Sequence, residues 1–147
     1  GYMKIVIVSG YFNPLHGGHL NLFEAAAQLG DRLLVIVNND KQQLIKKGKI
    51  ILDEQNRLRL IRALRVVDEV VLSIDEDGTQ CATLDHLARL FEGNELIFAN
   101  GGDRNSTAEI PEATVCEKYG IKMQFCVGDS EKYDSSTRIN QATGAEN

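Results

Sequence analysis

The sequence predicts an α/β domain of the doubly wound kind, in which one sheet of five parallel strands lies between two layers of helices. Short apolar runs rich in Ile, Val and Leu, such as MKIVIVSG and RLLVIVNND, are typical of strands buried on both faces. Segments of roughly 10–13 residues with helical spacing separate these runs, which implies right-handed crossovers and a parallel sheet. The length of 147 residues suits one domain with a single core.

The first half of the chain supplies three of the strands and two helices. A helix is predicted from Gly18 to Leu29 with Gly30 as its C-cap, and Asp53 is expected to open the second helix as its N-cap. The segment that contains KKGK, between strand two and this helix, is predicted to be a loop. The strands are predicted at residues 3–10, 32–40 and 68–75, and the second helix at residues 53–64.

The second half continues the alternation of helix and strand, so we assign residues 3–147 to one domain. Gly1 and Tyr2 precede Met3 and are interpreted as the remnant of a cleaved tag. The helices are predicted at residues 81–93, 110–120 and 135–142, and the strands at residues 95–103 and 121–128.

Composition excludes several classes of function. The net charge of −5, from 16 Lys and Arg against 21 Asp and Glu, lacks the positive field that nucleic-acid binding needs. The 3 cysteines have no CxxC spacing, so they predict reduced thiols of a cytoplasmic protein and neither disulfides nor a zinc site. No apolar run approaches the roughly 18 residues of a membrane span. A small anionic ligand remains compatible with all of these features.

Polar and glycine-rich segments follow three of the predicted strands. His16 follows strand one, Asn39 and Asp40 follow strand two, and the segment from Gly101 to Arg104 follows strand four. In doubly wound sheets the ligand crevice lies beyond the carboxyl ends of the strands, where the strand order reverses. We therefore expect these segments to meet at one site.

His16 and His19 lie at the predicted start of the first helix, in the segment GYFNPLHGGH. Unpaired N–H groups at a helix N-terminus favour an anion, and Gly17 and Gly18 let the backbone approach a ligand closely. Both imidazoles could then donate to one phosphate. The alternative is an exposed or metal-binding pair, but a metal needs a third ligand and the remaining histidine, His86, falls in another helix.

Three further motifs allow both a structural and a functional interpretation. KKGK could be a solvated loop, or its lysines could offset negative charge on a phosphate. ANGGDRN could be a plain turn, or Asp103 could accept a hydrogen bond from a ribose or base while Arg104 reaches a phosphate. DSSTRI could cap a helix, or its three hydroxyls could form a second phosphate cradle.

GYFNPLHGGH resembles the HxGH signature of the nucleotidyltransferase superfamily, which includes the class I aminoacyl-tRNA synthetases. The resemblance continues through LGDRLLVIVNND, KKGK, NRLRLIRALRVVDEVV and SSTRI, so it spans nearly the whole chain in the same order. Within the superfamily the sequence is most similar to the cytidylyltransferase-like enzymes of the glycerol-3-phosphate cytidylyltransferase type. This resemblance implies a Rossmann-like sheet.

The resemblance also implies roles for individual residues. His16 and His19 would contact the triphosphate and stabilise the transition state at the α-phosphorus, together with Lys46. Arg57 would hold the acceptor's phosphate, although a surface helix charge is the alternative. The nucleotide would bind at Gly10, Tyr11, Phe12, Gly18, Gly101, Asp103, Arg104, Ser135, Ser136 and Thr137, and the acceptor at Asn13, Asp40, Lys49 and Arg57.

The implied reaction joins a nucleoside triphosphate, with CTP favoured, to a small phosphorylated polyol, sugar or alcohol and releases pyrophosphate. Mg²⁺ would bind the triphosphate without protein ligands, and the enzyme would be a homodimer. Because FNPLH looks more like the adenylyltransferases that build NAD or coenzyme A, ATP is the alternative, with a sugar-phosphate, pantetheine-phosphate or mononucleotide acceptor. A non-catalytic nucleotide sensor is a further alternative, whereas a synthetase fragment lacks a KMSKS-like motif.

Overall fold

A computed structural model describes residues 2–102 and 110–128 and confirms the predicted sheet. Five parallel strands are arranged in the order β3-β2-β1-β4-β5, so the strand order reverses at β1. The strands are β1 (Lys4–Gly10), β2 (Arg32–Val37), β3 (Glu69–Leu72), β4 (Glu95–Ala99) and β5 (Lys122–Gln124).

Helices pack on both faces of the sheet, because alternate residues of each strand point to opposite sides. On one face Val6 and Val8 pack in a cluster with Phe23, and on the other Ile5 and Ile7 pack in a second cluster. Burying each such side chain contributes about 1.5–3 kcal/mol. The helices are α1 (Gly17–Ala27), α2 (Asp40–Lys47), α3 (Glu54–Arg62), α4 (Cys81–Leu90) and α5 (Ala113–Tyr119).

The pairing of β1 creates a crevice at one edge of the sheet. β1 pairs with β2 from Ile5 to Gly10, but it pairs with β4 only from Lys4 to Ile7. The carboxyl end of β1 therefore extends past its pairing with β4. This is the reversal point of the strand order, where ligands bind in sheets of this kind.

The predicted loop after β2 is wrong, because residues Asp40–Lys47 form α2. Asn39 caps this helix by accepting from the Gln42 N–H, and the Gln42 side chain accepts from the Asn39 N–H in return. The helix ends at Gly48, whose φ of 73° is left-handed. Strand β2 is shorter than predicted because this cap begins at Asn39.

The two predicted caps of α1 and α3 have different outcomes. Asp53 is the N-cap of α3, as predicted, and accepts from the Asn56 N–H at 2.8 Å. Gly30 is not the C-cap of α1, since that position is Gln28. Gly30 is instead required by close packing, because a Cβ there would lie 2.8 Å from the Lys4 carbonyl oxygen.

Within the described part of the chain, no helix has the length and apolar character needed to cross a membrane. The predicted terminal helix at residues 135–142 lies outside the described residues.

Candidate active site

A cleft of about 660 Å³ opens at the carboxyl end of β1, where the crevice was predicted. It gathers the HGGH turn (residues 16–19), the end of α2 and the glycines after β4. Its described lining consists of Ser9, Gly10, Tyr11, Phe12, Asn13, Pro14, His16, His19, Leu22, Gln43, Lys46, Lys47, Lys49, Ile51, Gly101 and Gly102.

His16 and His19 form the N-terminal cap of α1. The His16 Nδ1 accepts from the Gly18 N–H at 3.1 Å, and the His19 Nδ1 accepts from the His16 N–H at 3.0 Å. Their ring centroids lie 3.9 Å apart at an interplanar angle of 32°. Because each Nδ1 accepts a backbone hydrogen bond, the proton of each neutral ring is assigned to Nε2. The turn thus fixes the tautomer of both histidines and makes both Nε2–H groups donors.

Gly18 is required by this arrangement. A Cβ at Gly18 would lie 2.9 Å from the His16 Cε1, so a larger residue would displace the imidazole from its capping position. Apart from its chain neighbours and the backbone of α1, a Cβ at Gly17 would meet no atom of the described residues within 4 Å. The two glycines therefore differ in how strongly their positions require glycine, a difference that cannot be predicted from their order in the chain.

Phe12 supports the histidines from behind. It is 2% exposed, has a positive φ of 52°, and its ring lies edge-on to the rings of His19 and Phe23, with centroids at 5.0 Å and 5.3 Å. A Cβ on Gly10 would lie 2.7 Å from the Phe12 ring. Gly10 and Phe12 thus hold the position of His19 by packing.

The lysines of KKGK face the cleft from the end of α2. Lys46 places its Nζ 4.4 Å from the ring centroid of Tyr11, and Lys47 and Lys49 line the same cleft. Partial burial raises the pKa of the Tyr11 phenol above its ordinary value, so this ring stays neutral beneath the ammonium group. Three cations therefore line one side of a cleft in an acidic chain, which favours an anionic ligand.

Arg57 is 1% exposed, so its interpretation as a surface helix charge is wrong. Its Nε donates to the Leu52 carbonyl at 2.8 Å, its Nη1 to the Tyr11 and Asn38 carbonyls, and its Nη2 to the Asp40 carboxylate at 2.8 Å. A buried guanidinium needs such partners. These bonds tie together the segments that follow β1 and β2.

The residues predicted to bind the acceptor fall into two groups. Asn13 and Lys49 line the cleft, whereas Asp40 and Arg57 are paired with each other behind it. The Asn13 Oδ1 accepts from the N–H groups of Ile51 and Leu52, at 3.2 and 2.8 Å, next to a cis Asn13–Pro14 peptide bond. Asn13 therefore also anchors the chain between α2 and α3.

Of the residues predicted after β4, Gly101 lines the cleft beside Gly102. The predictions for Asp103, Arg104, Ser135, Ser136 and Thr137 lie outside the described residues.

Sequence reasoning missed Gln43, which lines the cleft although it is only 2% exposed. It lies on α2, the helix that was predicted as a loop, so its helical position could not be used. The Asn39–Gln42 capping signature was the signal that could have revealed that helix.

The described lining of the cleft contains no Asp or Glu, and the described residues contain no group of three His, Cys, Asp or Glu side chains that could hold a metal ion. Mg²⁺ prefers oxygen ligands and commonly takes them from substrate phosphates. The lysines and histidines are hydrogen-bond donors for those phosphate oxygens that such an ion would not bind.

These features define an α/β protein whose cleft, at the reversal point of its sheet, has the charge and hydrogen-bond donors that suit a phosphorylated ligand. The sequence model of the cytidylyltransferase-like family matches residues 7–142. The chain therefore belongs to the cytidylyltransferase-like family.

Two relatives illustrate the match in sequence. The bifunctional protein HldE of Gluconobacter oxydans is 46% identical over 138 residues, which cover 92% of this chain and 26% of the relative. FAD synthase of Ferroglobus placidus is 43% identical over 75 residues, which cover 51% of this chain and 49% of the relative. The matched part of this chain thus spans about half or less of the length of these relatives.

Solved structures agree with this fold. The lipopolysaccharide core biosynthesis protein from Thermoplasma volcanium is 30% identical with a TM-score of 0.62, and the match covers 84% of this chain and 93% of that one. A structure described as a nicotinate-nucleotide adenylyltransferase from Vibrio parahaemolyticus has a TM-score of 0.59 at 19% identity and covers 97% and 89%. The latter likeness concerns the fold alone.

Proposed function

We propose that this enzyme transfers a nucleotidyl group from a nucleoside triphosphate, with CTP favoured, to the phosphate of a small phosphorylated polyol, sugar or alcohol. The observation that carries this proposal is the HGGH turn, in which backbone hydrogen bonds make the Nε2–H of both His16 and His19 donors at a helix N-terminus. Lys46, Lys47 and Lys49 line the same cleft and add positive charge.

The reaction needs no protein nucleophile. An anionic oxygen of the acceptor phosphate attacks the α-phosphorus and forms the new P–O bond, while the bond from the α-phosphorus to the bridging oxygen breaks. Pyrophosphate leaves with that electron pair. Catalysis then consists of positioning the two phosphates in line and stabilising the charge that develops on the phosphoryl oxygens.

His16 and His19 supply preorganised donors for this charge. Their rings are held by the cap of α1 and, for His19, by the ring of Phe12, so little reorganisation accompanies the reaction. Lys46 offsets charge from the opposite wall, with Lys49 as the other candidate. Mg²⁺ bound to the triphosphate would neutralise further charge on the leaving pyrophosphate.

The two substrates are proposed to approach from opposite sides of β1. The nucleotide lies toward β4, at Gly101 and Gly102. The predictions that Asp103, Arg104, Ser135, Ser136 and Thr137 bind the nucleotide are retained from the sequence. The acceptor lies toward β2, where Asn13 and Lys49 line the cleft. Arg57 and Asp40 act as positioning residues, because their side chains bind each other and the surrounding backbone.

ATP is the second candidate nucleotide, because Asn13 and Pro14 in FNPLH resemble the adenylyltransferases. A homodimer is also proposed. Apolar side chains beside the cleft support it, since Leu44, Ile45 and Ile51 are 50%, 64% and 58% exposed.

Pyrophosphate release tests the proposal. The protein is incubated with Mg²⁺, each of CTP, ATP, GTP and UTP, and a panel of phosphorylated polyols, sugars and alcohols. We expect release with one nucleotide that depends on an acceptor and is lost when His16 and His19 are replaced together. No release with any pair, despite triphosphate binding in calorimetry, would favour the nucleotide sensor.

A further inference from the structure

The side chain of Gln43 is buried in the wall of the cleft. Gln43 is 2% exposed, lines the cleft, and its Oε1 makes no hydrogen bond with any of the described residues. A buried polar atom without a partner opposes folding, so each such atom in a native protein needs an explanation. Gln43 borders the cleft, so a turn of its amide toward the cleft would let a ligand supply the missing partner.

The preceding glutamine shows that this is not a general property of α2. Gln42 is 0% exposed, but its Oε1 accepts from the Asn39 N–H and its Nε2 donates to the carbonyls of Asp77 and Thr79. Gln42 therefore completes the cap and the packing of α2 on its far side. The Gln43 side chain takes no part in this cap, which consists of Asn39 and Gln42.

Gln43 shares one face of α2 with the cleft lysines. Lys46 and Lys47 are three and four residues after Gln43, a spacing that places all three on the same side of a helix. The lysines are exposed at the rim, whereas Gln43 is buried. This face thus presents charge at the entrance and one neutral amide at depth, on the β2 side where the acceptor is proposed to bind.

We propose that the Gln43 amide hydrogen-bonds a hydroxyl group of the phosphorylated acceptor and selects hydroxylated acceptors over their deoxy analogues. This inference rests on the proposed function. An amide offers one acceptor and two donors, whichever way it is turned, and a hydroxyl both donates and accepts. A phosphate offers only acceptors at neutral pH and is matched better by the lysines.

The size of the effect follows from the burial of the amide. A site built to bond a hydroxyl rejects the analogue that lacks it, because its own polar group then stays unpaired. We therefore expect the parent protein to bind the hydroxylated member of a matched pair about tenfold or more tightly than the deoxy member.

The experiment uses Gln43→Met, which keeps the length of the side chain and removes its polar atoms. Gln55→Met is the matched control, because Gln55 is an exposed glutamine on the neighbouring helix α3. Calorimetry measures binding of three pairs: ribose 5-phosphate and 2-deoxyribose 5-phosphate, glucose 6-phosphate and 2-deoxyglucose 6-phosphate, and glycerol 3-phosphate and propyl phosphate. Pyrophosphate release with CTP and ATP is measured in parallel.

The parent and Gln55→Met should prefer the hydroxylated member of at least one pair. Gln43→Met should lose that preference, keep its affinity for the deoxy member and for the triphosphate, and melt no lower than the parent. A parent without preference in every pair overturns the proposal, as does a Gln43→Met variant that keeps the preference. A loss of triphosphate affinity instead would place the amide against the nucleotide and overturn the assignment to the acceptor.

The same measurements separate this inference from the function on which it rests. Binding is read by calorimetry and does not depend on turnover. A preference that Gln43 controls, without pyrophosphate release from any pair, would contradict the transfer reaction while upholding the hydroxyl contact. If Gln43→Met releases pyrophosphate as the parent does with both members of each pair, the transfer reaction would be upheld and the hydroxyl contact would be contradicted.

Discussion

Two polar clusters at the same edge of the sheet differ in how their groups are paired. The β3–α4 cluster consists of Ser73, Asp75 and Thr83, and the cleft cluster consists of the HGGH turn, Gln43 and the KKGK lysines. Asp75 is 6% exposed and accepts from the N–H groups of Ala82 and Thr83 at 2.8 and 2.9 Å and from the Thr83 hydroxyl. The β3–α4 cluster thus satisfies its buried carboxylate internally.

The β3–α4 cluster is also linked to the start of α2. Asn39 donates from its Nδ2 to the carbonyls of Ser73 and Asp75, at 3.0 and 2.8 Å. The cleft cluster, by contrast, holds a buried amide oxygen without a partner among residues 2–102 and 110–128, and three lysines at its rim. Polar groups that bind one another hold connections in place, whereas those that face a cleft are available to a ligand. The two clusters should therefore respond oppositely to substitution.

The largest expected effect is on turnover in the cleft cluster. His16→Asn keeps an N-cap side chain, and both His16→Asn and His19→Ala remove an imidazole donor. Each should lower kcat by about two orders of magnitude or more, since this is the range for losing one preorganised donor. Steady-state pyrophosphate release measures the change, and circular dichroism checks the fold. Activity within a few-fold of the parent in folded variants would refute the role of the HGGH turn.

A stability effect should dominate in the β3–α4 cluster. Asp75→Ala leaves the Ala82 and Thr83 N–H groups without their acceptor, which should cost about 2–3 kcal/mol of unfolding free energy. Urea unfolding measures this loss, and kcat at a temperature where the variant is folded should stay near that of the parent. An Asp75→Ala variant that is as stable as the parent but has a tenfold lower kcat would contradict the contrast between the two clusters.

A smaller effect is expected from one lysine. Lys46→Met should slow turnover about tenfold, because it removes one mobile charge that offsets the developing negative charge. Lys41→Met is the matched control, since Lys41 is exposed on the same helix and pairs with Glu76. Equal losses in both variants, measured as kcat/KM, would mean that only the overall field matters.

The smallest expected effect concerns the hydroxyl motif outside the described residues. Replacing Ser136 and Thr137 together by alanine should weaken triphosphate binding about fivefold, which corresponds to about 0.5 kcal/mol for each of two hydrogen bonds. Monophosphate binding should change much less, because a monophosphate has no β- or γ-phosphate. Calorimetry with CTP, CMP, ATP and AMP distinguishes the two. Equal losses of affinity for mono- and triphosphates would mean that these hydroxyls contact the nucleoside monophosphate part of the nucleotide. A loss of stability without a loss of affinity would mean that they only cap a helix.

Much of the fold and part of the site could be predicted from local sequence signals. The five strands follow from apolar runs, and the Asp53 cap of α3 follows from its position before a helical pattern. The meeting of His16, Lys46 and Gly101 in one cleft follows from their places after parallel strands. The helix α2 was missed because its apolar pattern is weak and its start depends on the mutual cap of Asn39 and Gln42.

The roles of buried polar side chains could not be predicted in the same way. Arg57 and Arg59 are separated by one residue on α3, yet Arg57 is buried and Arg59 is exposed. The difference depends on carbonyls that lie far away in the chain, such as that of Tyr11, 46 residues before Arg57. Similarly, two adjacent glutamines of α2 differ only in what the folded chain places beside each amide.

The sequence by itself determined the elements, their order and the residues that end up at the carboxyl edge of the sheet. Apolar periodicity, caps and glycines act through neighbours in the chain, so they can be recognised from the sequence alone. The tertiary structure decided which polar side chains form internal hydrogen bonds, as Arg57 and Asp75 do, and which line the cleft, as Gln43 does. The physical reason is that desolvation and hydrogen bonding depend on the partners packed around a side chain, and distant segments supply those partners.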